Sequence, residues 1–102
     1  MSIAAERFAR LADAALNGPG ELDAERRRAA FDGVGPADAL GWVRRVHEGA
    51  ATIEDEHLGE LRAAGLTDDQ AFELTICAAA GAADRRLRAA LAALDAAFGD
   101  AP

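Results

Sequence analysis

The chain has 102 residues, a formal net charge of −7 and 28 alanines. That length supports one compact domain over 1–102; alanine removes little apolar area from water, so eleven leucines, four phenylalanines and one tryptophan must supply most of the core. The acidic balance opposes nucleic acid as a partner, no apolar run reaches the ~20 residues of a membrane span, and Glu6 with two arginines in the first ten residues breaks any signal-peptide core, so a cytoplasmic location is expected.

In chain order, Ser2 is placed to cap a first helix carrying Phe8, Leu11, Ala12, Ala15 and Leu16, which Asn17-Gly18-Pro19-Gly20 stops. Leu22 and Asp23 open a second, charged helix that closes at Asp32-Gly33. Its arginines Arg26, Arg27 and Arg28, like Arg44 and Arg45 further on, are interleaved with acids and are expected on solvated faces. A third helix starts near Pro36 and presents Leu40, Val43, Val46 and Ala50 as one stripe. A fourth begins around Thr52 to Glu54, with Ile53 positioned to staple against Leu58 if Glu54 is the cap, and ends at Gly65.

Thr67-Asp68-Asp69-Gln70 is a capping box and the clearest helix start in the chain. The spacing of Phe72, Ile76, Ala79, Ala83, Leu87, Ala90, Leu94 and Ala97 then predicts one helix of about 30 residues, bent if anywhere at Gly81. Nothing alternates with period two, so the fold class is all-α, about five helices with a long last one. Its small-residue face, Gly81 included, is the expected seat of self-association, because so alanine-rich a subunit lacks large core residues.

Few residues offer chemistry. His47 and His57 fall on different helices, and Glu54 with His57 supplies only one of the two carboxylate–histidine pairs a bundled metal site needs; no metal and no cofactor is expected. The one cysteine, Cys77, forms no internal disulfide and lies one helical turn after Glu73. Free cysteine is commonly a small buried hydrophobe, and a neighbouring acid makes a thiol less nucleophilic. Glu73 lies between Phe72 and Leu74, where a carboxylate must find a partner such as an arginine or shift its pKa.

The stretch HLGELRAAGLTDDQAFELTICAAAGAADRRLRAAL, from His57 onward, resembles the C-terminal half of the alkylhydroperoxidase D and carboxymuconolactone decarboxylase superfamily. His57 eight residues before Gly65, the capped Gly-Leu-Thr-Asp-Asp turn, Glu73 and the alanine–glycine helix carry the likeness, which covers roughly 47–94. The resemblance implies a small all-helical oligomer. The peroxidase branch's Cys-x-x-Cys falls here on Ala50 and Ile53, so its dithiol cycle has no second thiol. The decarboxylase branch has a histidine where Cys77 stands and a Tyr-x-Gly-x-Pro run where Gly81, Ala83 and Arg85 stand.

His57, Glu73 and Cys77 are therefore the candidate site residues. Three readings follow: a redox-inactive oligomeric scaffold that binds a small organic ligand, a cofactor-free acid–base enzyme using His57 and Glu73 in one inter-helix groove, and a protein interaction module.

Overall fold

In the computed structural model, residues 3–34, 39–49 and 54–99 are described. Among them are five α-helices: α1 (Ile3–Asn17), α2 (Ala24–Phe31), α3 (Leu40–Glu48), α4 (Asp55–Ala63) and α5 (Asp68–Leu94), the last running into a wider π turn at Asp95–Gly99. The expected all-helical order is observed. Pro36 and Ile53, expected to start α3 and to staple α4, lie outside the described residues.

Local chemistry sets the helix ends. Asp23 caps α2 by accepting from the Arg26 N–H at 2.8 Å. In α5, Thr67 accepts from the Gln70 N–H at 3.1 Å and the Gln70 side chain accepts from the Thr67 N–H at 3.0 Å, closing the capping box. Two helices end in the same glycine turn. Gly33 (φ +83°) and Gly65 (φ +88°) take the left-handed conformation, and the next N–H returns to the last turn, Val34 to Ala29 O at 2.9 Å and Leu66 to Leu61 O at 3.3 Å. Side chains other than glycine resist that backbone.

The proximal half of α5 is the spine, packed most extensively against α2 and then against α3 and α1. The core holds Leu22, Ala30, Ala39, Val43, Val46, Leu61, Leu74, Cys77 and Ala78, with Trp42 and Leu58 at its edge. Trp42 donates its indole N–H to Thr75 Oγ1 at 2.8 Å, and that hydroxyl donates to Ala71 O at 2.7 Å, which fixes α3 on α5.

Gly81 is buried and does not interrupt α5. A Cβ there would overlap the Phe31 carbonyl, where the end of α2 rests on α5. The expected inter-subunit role of this glycine is thus corrected: its lack of a side chain serves helix contact within the chain. In an unobstructed helix, Gly→Ala gains about 1 kcal/mol from propensity, whereas overpacking against backbone costs about 1–3 kcal/mol or more. Gly81→Ala should therefore lower the thermal midpoint; a raised midpoint would show that α2 does not sit against this position.

Candidate functional site

Glu73 lies on the side of α5 that meets the connection between α1 and α2. Its Oε1 accepts from the Glu21 N–H at 2.8 Å and its Oε2 from the Leu22 N–H at 2.7 Å. Arg27, from α2, stands at 3.8 Å from Oε1 and donates through Nη1 to the Gly18 carbonyl. One carboxylate thus holds two consecutive backbone donors and one guanidinium. A Cβ at Gly20 would overlap both Arg27 Nη2 and Glu73 Oε1, so any larger residue there would displace the ends of these two side chains.

Arg27 is 5% exposed, which corrects the expectation that the whole Arg26–Arg28 run is solvated; Arg26 and Arg28 do remain exposed. A buried guanidinium demands a counter-charge, and Glu73 is that counter-charge, the arginine partner anticipated for it. Arg27 Nε has no hydrogen-bond partner among the described residues.

Cys77 lies one turn beyond Glu73, 1% exposed, and donates its thiol to the Ala15 carbonyl of α1 at 3.3 Å. Burial pushes its pKa up; the charge of Arg27 opposes that rise and Glu73 adds to it. The thiol is therefore more protonated at neutral pH than a free cysteine, and less nucleophilic.

His57 is buried, not solvated. It occupies the third position of α4, and its Nδ1 accepts from the Glu54 N–H at 2.8 Å, with the Glu54 side chain completing a capping box of unusual composition. Its Nε2 lies 3.7 Å from Glu56. Among the described residues, no hydrogen bond or ion pair joins His57 to Glu73. The structure brings Glu73, Arg27 and Cys77 together at the α1–α2–α5 junction, while His57 organises the start of α4.

The other histidine has a role that the sequence concealed. His47 is buried, receives a 2.6 Å hydrogen bond at Nδ1 from Arg85 Nη2, and makes a 2.8 Å contact from Nε2 to the Ala30 carbonyl. Arginine only donates and a carbonyl only accepts, which assigns the neutral tautomer with the hydrogen on Nε2. Arg86 adds a 3.0 Å bond to the His47 carbonyl. One ring ties α2, α3 and α5 together. Its only sequence signal was a histidine on the apolar side of α3 with arginines available on α5.

Beside a small cleft of about 120 Å³ lined by Arg27, Glu73, Phe72 and Ile76, two larger open grooves flank these elements. One, of about 340 Å³, is lined by Trp42, Leu58, Ala71, Phe72 and Thr75, with the Arg62–Asp68 pair at its rim. The other, of about 800 Å³, runs between α1 and the distal part of α5. Among the described residues, no group of histidine, cysteine and carboxylate side chains is arranged to hold a metal ion, and no helix is long and apolar enough to cross a membrane. Comparison with family models, curated proteins and solved structures finds no match.

If Glu73 holds the fold, Glu73→Gln should unfold the protein more readily, since the amide has one acceptor oxygen for two backbone donors, turns an NH2 donor towards one of them, and cannot balance the charge of Arg27. A loss of about 2–4 kcal/mol is expected, a fall of roughly 10 °C or more in thermal midpoint for a domain of this size. The Cys77 thiol should react with a chromogenic disulfide at pH 8 at least about tenfold more slowly in the folded protein than in urea, because burial both raises its pKa and blocks access. Equal rates would place the thiol at the surface.

Proposed function

We propose that the protein is a redox-inactive helical scaffold, related to the alkylhydroperoxidase D and carboxymuconolactone decarboxylase superfamily by the motif around His57 and Glu73, which self-associates and holds a small organic molecule without transforming it. The observation that carries this reading is the engagement of Glu73. Its two oxygens already serve two backbone donors and Arg27, so moving a proton through it would release the connection that α1 and α2 share. Cys77, directed at a main-chain carbonyl, and His57, capping its own helix, are similarly engaged. An acid–base cycle needs a group free to change state next to substrate, and neither candidate is free.

The groove at Trp42 supports the ligand-binding part. Its volume of about 340 Å³ falls at the lower end of the range that accommodates small ligands. Trp42 and Phe72 supply aromatic surface, and Phe72 is 66% exposed at its edge. A compact, largely apolar molecule with one polar end fits this lining. Trp42 is the only tryptophan of the chain, so its emission reports on the groove directly. Titration with benzyl alcohol should change that emission saturably, and Phe72→Ala should weaken the response. A linear response identical in both proteins would remove the ligand-binding reading, and peroxide consumption with a dithiol reductant, abolished by Cys77→Ala, would remove the redox-inactive one.

A further inference from the structure

Past Arg86, the last residue of α5 that bonds to α3, the helix projects from the others, and Arg85 through Gly99 are all exposed. This projection contributes to the 56 × 28 × 19 Å shape of the described residues. It is not a polar stalk. Leu87 and Leu91 are each 37% exposed, Leu94 54% and Phe98 72%. Their four–three–four spacing makes a single seam of the kind that packs into a facing helix. A helical extension this short has little stability in water without tertiary packing, and α1 covers only its inner edge, leaving the 800 Å³ groove lined by Phe8, Ala12, Leu16 and Phe31 with Leu87 and Leu91.

We infer that the distal end of α5 with the π turn that follows it, from Leu87 to Phe98, pairs antiparallel with the same segment of a second copy of this chain, across a two-fold axis between Leu91 and Leu94. This specifies the surface for the self-association proposed above and rests on that reading. Charge selects the occupant. The chain as a whole carries −7, but residues 84–98 contain three arginines and two aspartates, so this is a surface on which two copies of an acidic protein can meet with little mutual repulsion.

Charge and shape also select the orientation. Arg88 and Asp95 follow Leu87 and Leu94 on the same edge of the seam, seven residues apart. An antiparallel pair brings each Arg88 towards the other copy's Asp95 and sets Leu87 opposite Phe98 and Leu91 opposite Leu94. A parallel pair would stack Asp84, three residues before Leu87 on the same seam, against its own twin. Arg88 now pairs with Asp84 at 2.9 Å, but its side chain is 77% exposed, and exchanging an exposed partner costs little. A two-fold contact of this kind closes on itself and produces a dimer, not a filament.

The test uses the full chain in a Cys77→Ala background, with Leu87→Cys and Phe98→Cys made separately and oxidised alone and mixed. Antiparallel pairing yields the mixed disulfide in excess of random pairing, with little product from either variant alone. Leu91→Glu with Leu94→Glu, at positions exposed in the monomer, should halve the mass measured by light scattering while the Trp42 emission of the folded chain is retained. Efficient self-linking of Leu87→Cys would overturn the antiparallel arrangement. A dimer that persists in the double glutamate variant would overturn this surface while leaving self-association standing, and a wild-type monomer at micromolar concentration would overturn both.

Discussion

The carboxylate of Glu73 is the fixed point around which the N-terminal half of the fold is arranged. Without it, the Leu22 N–H would lose its acceptor inside the fold, the exposed Glu21 N–H would turn to solvent, and the buried guanidinium of Arg27 would keep only the Gly18 carbonyl and no counter-charge. Because one side chain answers all three, the connection between α1 and α2 is held on α5 and brings α2 down on the spine helix. Gly81 completes the arrangement at the other end of α2, where main chain meets main chain. Two glycines and one acid set the position of a helix only eight residues long.

This accounts for how ionisable residues on a mostly apolar helix are retained without free catalytic groups. A buried ion pair contributes little net stability, since desolvation offsets much of the Coulomb attraction, yet breaking it is costly. Such a pair therefore acts as a specificity element: alternative packings of alanine-rich helices, which differ little in buried apolar area, leave Arg27 unpaired. The His47–Arg85 contact has the same effect where α3 meets α5. Between them, the two arrangements determine which faces of α2 and α3 meet the spine, a choice that alanine surfaces alone leave almost degenerate.

What the sequence disclosed and what it withheld divide along the same physical line. The Thr67–Gln70 box, the Asp23 cap and the stops at Gly33 and Gly65 were readable because each signal lies within a few residues of its effect. The burial of Cys77 was readable from its small size among alanines. Arg27 was not, since in a run of three arginines only the tertiary contact of one short helix distinguishes the buried one, and α2 has no amphipathic pattern to indicate its inner face. His57 entered as a proton carrier through the resemblance; Glu54 was readable as a cap, but the return of the imidazole to the Glu54 N–H was not. Gly81 announced close approach, but not whether the approaching backbone belonged to the same chain.

The separation along the chain between Glu73 and the residues it holds, 52 positions to Glu21 and 51 to Leu22, shapes how the protein reaches its fold. Helical proteins usually draw on contacts between near neighbours in sequence and so fold quickly. Here α1 and α2 leave the ribosome well before the helix that supplies their acceptor and covers Leu22 and Ala30. During synthesis that half has no counter-charge for Arg27 and no surface on which to bury its few apolar side chains, and it remains open to chaperones and proteases until α5 emerges. The order of translation thus places the spine helix after the elements it holds and makes it the part on which they close.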